Sequence, residues 1–254
     1  NGGTVLLKAS SANALFDTVI NSTGIIRADS IASVNGRIIL DGGATGITQV
    51  TGEVTARGLN AGETGGQISV LGDKVGLLGN AKLDASGDAG GGTVLIGGGY
   101  QGKNLSVPNA AATYMSADST INVDALTNGK GGTVVLWANE STRASGSITA
   151  RGGAQGGDGG LIETSAHWLD VQGVRVNASA PSGRAGMWLL DPTDVTISNL
   201  VTSNSSPAGG VYSPAAGAST SNINAAELIA LLTGGTDVTI TTTSTGSAAG
   251  DINF

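Results

Sequence analysis

The chain has 254 residues, of which 43 are glycine, 12% are charged and 3% are aromatic. Glycine is more than twice the roughly 7% of an average soluble protein, but it does not fall at every third position and only five prolines occur, which excludes collagen. A hydrophobic fraction of 39% argues against a disordered polyelectrolyte, and a net charge of -7 argues against nucleic acid as a partner.

The first 198 residues read as one repeated phrase. A glycine followed by a short apolar strand recurs at Gly3, Gly36, Gly66, Gly92, Gly132, Gly160 and Gly186, at intervals of 26 to 40 residues. A second phrase, an aliphatic residue, one polar residue and then alanine, lies between these anchors. It reads Ile26-Arg27-Ala28, Val54-Thr55-Ala56, Leu83-Asp84-Ala85, Val123-Asp124-Ala125, Ile148-Thr149-Ala150 and Val176-Asn177-Ala178. A third alternating piece, such as Val75-Gly76-Leu77 or Leu169-Asp170-Val171, separates the two. Three short strands per repeat, joined by Gly, Asn, Asp and Ser turns, predict an all-β parallel solenoid in which each repeat is one rung. Alternate apolar residues then point inward and stack on their neighbours. Glycine is expected at the corners, where positive φ lets the chain turn.

The longest interval predicts an inserted loop over about 99–117, which carries Tyr100 and Tyr114. Beyond residue 198 the expectation is a long loop over 201–222, one short helix over 224–232 and further strands of the same solenoid to residue 254. Asn224 serves as N-cap, Glu227 takes the capping-box position, and Leu228, Ile229, Leu231 and Leu232 form the apolar face. No apolar run approaches the roughly 20 residues that span a bilayer, so no membrane insertion is expected. The chain contains no cysteine, which removes disulfide frameworks and thiolate chemistry.

The stretches Gly131–Trp137, Gly146–Gly153, Gly159–Ser165 and Trp188–Pro192 resemble the filamentous haemagglutinin-like and high-molecular-weight adhesin exoproteins of two-partner secretion. Gly99–Asn104 and the pieces Ala226–Leu228 and Gly250–Ile252 are similar to that family as well. The resemblance implies a right-handed parallel β-helix from a much larger secreted or outer-surface protein of a Gram-negative bacterium. It implies an outer-membrane two-partner secretion transporter as the partner in export, with the amino-terminal secretion domain absent from this segment or mostly upstream of it.

Candidate sites are few. The single histidine, His167, lacks the partners of a histidine-cluster zinc site and reads as a turn residue. In the aliphatic-x-alanine phrase, Asp84 and Asp124 occupy the same outward position in consecutive rungs, which makes them a weak candidate pair for a hard cation and otherwise a solvated pair. Tyr100 and Tyr114, on a loop leaving a rigid wall, are the candidate ligand-binding residues. Trp137, Trp168 and Trp188 read as packing residues. Sequons at Asn21, Asn104, Asn139, Asn177 and Asn204 could carry sugar.

The expected function is structural and adhesive: a segment that contacts host cells, matrix or exopolysaccharide, without a catalytic residue or cofactor. The alternatives are a carbohydrate-active β-helix enzyme, which needs a cluster of carboxylates, and the stem of a contact-dependent inhibition toxin.

Overall fold

A computed structural model describes residues 2–9, 18–30, 35–191, 195–200, 205–208, 211–214, 221–240 and 252–253. The first six rungs each contribute three strands in chain order. They are β1 (Thr4–Lys8), β2 (Thr18–Ser22) and β3 (Ile25–Arg27); β4 (Arg37–Asp41), β5 (Ile47–Val50) and β6 (Glu53–Thr55); β7 (Gln67–Leu71), β8 (Lys74–Leu77) and β9 (Lys82–Asp84). The next three rungs are β10 (Thr93–Ile96), β11 (Ala112–Met115) and β12 (Thr120–Asn122); β13 (Thr133–Trp137), β14 (Ser141–Ala144) and β15 (Ser147–Thr149); β16 (Leu161–Ser165), β17 (Trp168–Asp170) and β18 (Arg175–Asn177). A further strand, β19 (Met187–Asp191), follows.

First strands pair only with first strands, second with second and third with third, always in parallel. The result is three long sheets, here A, B and C, wound around one lumen as a parallel β-helix. All seven glycine-anchored strands lie in sheet A in sequence order. Parallel pairing holds the aliphatic residues in columns: Ile38, Ile68, Val94, Val134, Ile162 and Trp188 are in register in sheet A, and Val54, Leu83, Ile121, Ile148 and Val176 in sheet C. Every one of them is buried, and burying each such side chain contributes about 1.5–3 kcal/mol.

The anchor glycines have a different cause from the expected one. Gly36, Gly66, Gly92, Gly132, Gly160 and Gly186 are a column of close backbone approach rather than of positive φ. A Cβ on Gly66 would lie 2.1 Å from the carbonyl oxygen of Gly36, and one on Gly132 would lie 2.1 Å from that of Gly92. The chain crosses here from sheet C to sheet A, and the glycine N–H closes the corner. Gly66 donates to the Ala56 carbonyl at 2.6 Å, Gly92 to Ala85 at 2.7 Å and Gly160 to Ala150 at 2.7 Å. The two sequence phrases are therefore the two sides of one hydrogen-bonded corner, and their fixed order follows from it.

One rung departs from the expected register. β9 pairs with β12 so that Leu83 faces Ile121 and Asp84 faces Asn122. Val123 takes the alanine place, and its carbonyl accepts the Gly132 N–H at 2.8 Å.

The predicted loop is shorter than 99–117. Ala110 N–H donates to the Gly97 carbonyl at 2.6 Å and closes the base of the excursion, while Ala112–Met115 is β11, a full strand of sheet B. Tyr114 is thus a residue of the wall and not of the loop.

After β19 the chain leaves the three-strand pattern. β20 (Val195–Ser198), β23 (Ser221–Asn224) and β25 (Ile252–Asn253) form a small parallel sheet, and β21 (Ser205–Ala208) pairs antiparallel with β22 (Val211–Pro214) inside the stretch expected to be loop. Helix α1 (Ala225–Thr233) is capped by Asn224, whose Oδ1 accepts the Ala226 N–H at 2.8 Å. Its Leu228 and Leu231 pack on the core, whereas Ile229 and Leu232 are exposed, so the buried face is centred between 228 and 231 and is narrower than expected. β24 (Asp237–Ile240) then returns beside β19 as the eighth strand of sheet A. Among the described residues no helix is long and apolar enough to cross a membrane.

Candidate functional site

The outer face of sheet B carries two side-chain columns in register. One reads Gln49, Gly76, Tyr114, Arg143 and Asp170; the other reads Ile47, Lys74, Ala112, Ser141 and Trp168. Parallel pairing makes each column a ladder with one side chain per rung, about 4.8 Å apart. Gly76 leaves one position of the ladder empty. A Cβ placed there would meet only the Leu78 side chain at 3.4 Å and the Gln49 side chain at 4.0 Å, which is ordinary contact. The gap opens a groove of about 90 Å³ whose lining includes Gln49, Lys74, Gly76, Tyr114, Arg143 and Trp168.

Two features give this groove its chemistry. Arg143 Nε lies 3.2 Å from Asp170 Oδ2, so that cation is compensated from the next rung. Trp168 is 1% exposed, yet its indole Nε1 has no hydrogen-bond partner. A buried donor left unpaired costs about 1–3 kcal/mol; the Trp168 side chain lines the groove while its Nε1 is closed to solvent.

Sheet A presents a different outer face on the same rungs. Leu95, Val135 and Trp137 form a buried cluster there, against which Val107 of the inserted loop packs. Gly98 and Gly102 lie so close to the Trp137 ring that a Cβ on either would come within 2.6 Å of it. Gln101, in the turn Tyr100–Gly102, has φ +52, and its N–H donates to both carboxylate oxygens of Glu163 at 3.1 and 3.0 Å. Glu163 is fully buried on β16. Burial pushes its carboxyl up to about 7, against the Gln101 and Ser165 hydrogen bonds that favour the anion. The Asp191 carboxylate pushes the same way as burial, and Lys103 opposes it.

The structure does not bring Asp84 and Asp124 together. Asp84 Oδ1 accepts its own turn's Ser86 N–H at 2.9 Å, and Asn122, its true neighbour, does the same for Asp124 N–H at 3.0 Å. Asp124 is held by Arg151, with Nη2 2.8 Å and Nε 2.9 Å from Oδ2. These acidic and amide side chains end the sheet C strands as turn formers. Among the described residues no group of three or more His, Cys, Asp or Glu side chains is placed to hold a metal ion.

Tyr100 and Tyr114 are also apart: Tyr100 is 44% exposed on the turn over sheet A, whereas Tyr114 lines the sheet B groove. His167 lies in the turn between β16 and β17. Trp188 is buried in the lumen and its Nε1 donates to Thr164 Oγ1 at 3.0 Å, while Trp137 and Trp168 lie on outer faces beneath other parts of the chain. Asn21, Asn104 and Asn139 are exposed, and Asn204 lies outside the described residues. Sequence reasoning missed Glu163, Gly76 and the unpaired indole. A glycine at the centre of the alternating Val75-Gly76-Leu77 was the one signal available.

No family model and no curated protein matches the sequence. The structure is similar to the crystal structure of the HMW1 secretion domain from Haemophilus influenzae, with a TM-score of 0.56 and 29% identity over 74% of this chain and 48% of that one. The chain thus spans about half the length of the domain it matches. The rungs are themselves similar to part of that secretion domain, whereas the sequence resemblance implied a secretion domain absent from this segment or mostly upstream of it; the similarity carries the parallel β-helix.

Proposed function

We propose that the chain is a structural and adhesive segment of a large secreted exoprotein, exported through an outer-membrane two-partner secretion transporter and displayed at the bacterial surface. The observation that carries this reading is the similarity of its coil to the HMW1 secretion domain. The coil also suits such export physically. The strands of each rung pair only with those of neighbouring rungs, so a chain emerging from a pore can fold by adding one rung to the last, and the absence of cysteine leaves no disulfide to obstruct threading.

The reading is non-catalytic, and the engagement of the acidic side chains supports it. Asp124 is paired with Arg151, Asp170 with Arg143, and Glu163 is bonded to the loop backbone. Contacts with host cells, matrix or exopolysaccharide are assigned to the outer faces of the wall. Cells that express the segment with its transporter are expected to deliver it to the surface or medium, and beads coated with the purified chain are expected to attach to host cells or matrix. Retention inside cells that carry a working transporter would contradict export. Release of reducing ends or unsaturated sugars from a polysaccharide would instead favour a carbohydrate-active enzyme.

A further inference from the structure

We propose that residues 98–109, the excursion that leaves sheet A after β10, form a flap that is latched at Glu163 and opens as the pH rises, uncovering Leu95, Val135 and Trp137. The excursion is built to move as one body, because its hydrogen bonds are internal. Gly102 N–H donates to the Gly99 carbonyl at 2.8 Å, Lys103 N–H to Tyr100 at 3.1 Å, Val107 N–H to Asn104 at 3.0 Å, and Asn109 Nδ2 to Gly102 at 2.9 Å. Its base is the bond from Ala110 N–H to the Gly97 carbonyl, and Gly97 stands at φ +74, a conformation that suits glycine at a hinge. Among the described residues, 98–109 are hydrogen-bonded to the wall only through the Gln101 N–H on the Glu163 carboxylate.

That single latch weakens when it is charged. The closed flap leaves Glu163 fully buried, and a buried anion loses more to desolvation than one N–H returns. Of the titratable side chains on the flap, Tyr100 and Lys103, the lysine favours the anion; Asp191 on β19 opposes it, and the β13 neighbours Val135 and Trp137 carry no charge. The balance leaves the covered carboxyl raised from 4.5 to about 7. Opening returns it to water, together with Asn109 Oδ1, which is buried without a hydrogen-bond partner when the flap is closed. The open form therefore releases its proton at lower pH than the closed form, and the open fraction rises about tenfold between pH 6 and pH 8.5. Closure is held by apolar packing of Val107 on Leu95, Val135 and Trp137, which does not change with pH.

Thiol labelling tests this, since the chain has no cysteine of its own. Leu95→Cys places a thiol beneath the flap and Ile148→Cys places one in the lumen. Each is made in the chain with Glu163 and in a chain that also carries Glu163→Gln, which keeps an acceptor and cannot ionise. The rate of Leu95→Cys labelling with Glu163, divided by the rate with Glu163→Gln, cancels the reactivity of the thiol itself. That ratio should rise about tenfold from pH 6 to pH 8.5. Ile148→Cys should label at least about 100-fold more slowly than Leu95→Cys, because it waits for the whole coil to unfold. Hydrogen exchange of the Gln101 amide, corrected for its intrinsic rate, should show the same rise in the chain without cysteine. A ratio that stays constant or falls with pH would overturn the proposal. So would equal labelling at Leu95→Cys and Ile148→Cys, which would mean that the coil opens as a whole and the flap does not move by itself. None of these readouts depends on export or attachment, so the flap and the function proposed above fail separately.

Discussion

The outer faces of sheets A and B are built on the same rungs, with the same spacing and the same parallel register, yet they end in opposite states. On sheet A the chain departs after β10, and its loop seals Leu95, Val135 and Trp137 from water, at the cost of burying the Glu163 carboxyl. On sheet B a single missing side chain, at Gly76, leaves a groove lined in part by Trp168, whose indole N–H is buried without a partner. A solenoid wall thus gains a covered or an open surface by local means, one inserted segment or one glycine, without change to the lumen. The covered face holds the buried Glu163 carboxyl, raised to about 7, and with it a dependence of stability on pH.

The largest effect is expected where both faces depend on the same corner. Gly132→Ala puts a methyl 2.1 Å from the Gly92 carbonyl oxygen and 2.8 Å from Val123 Cβ. It should cost about 4 kcal/mol or more in chemical denaturation, because neither backbone can give way within the stack. Trp137→Ala should remove about 3–5 kcal/mol and expose the loop to protease, while leaving the sheet B groove intact.

Glu163→Gln sharpens the contrast through pH. The Glu163 carboxyl is raised from 4.5 to about 7, so the folded chain holds a proton that the unfolded chain has released. Its stabilising contribution is complete below pH 4.5 and is lost as the pH rises through 7, about 3 kcal/mol at most. Denaturation across pH 5 to 8 should show that decline in the native chain and a flatter profile in Glu163→Gln. The smallest effect belongs to the open face: Gly76→Val should change stability by no more than about 0.5 kcal/mol. A large loss there would mean that the gap is structural.

The coil itself was legible because two short phrases alternate in fixed order, and the structure shows why they must. Glycine donates the corner hydrogen bond to alanine at Gly66, Gly92, Gly160 and Gly186 and to Val123 at Gly132, and a side chain on the glycine would meet the neighbouring backbone. The slip at Asp124 has an equally physical origin. A displacement by two residues keeps every side chain on its own face, so Ile121-Asn122-Val123 and Val123-Asp124-Ala125 fit the alternation equally well, and the alanine favoured the wrong one. Tyr114 was assigned to a loop because the excursion and β11 share one long interval between glycines, and nothing in the sequence marks where Ala110 closes back on Gly97. Glu163 gave no signal at all: its burial comes from Gln101, sixty-two residues earlier in the chain. Periodicity reports the strand a residue belongs to, not the segment that later covers it.

A pair of engineered cysteines tests the stacked register most directly, since the chain has no cysteine of its own. Asp84 and Asn122 are directly paired on adjacent rungs, about 4.8 Å apart, within the Cα span of a disulfide. Asp84 and Asp124 are offset by two residues, about 8 Å apart and beyond that span. The parallel coil described here predicts that Asp84→Cys with Asn122→Cys oxidises readily to an intramolecular disulfide in the folded chain, whereas Asp84→Cys with Asp124→Cys does not. Efficient closure of the second pair and failure of the first would contradict it.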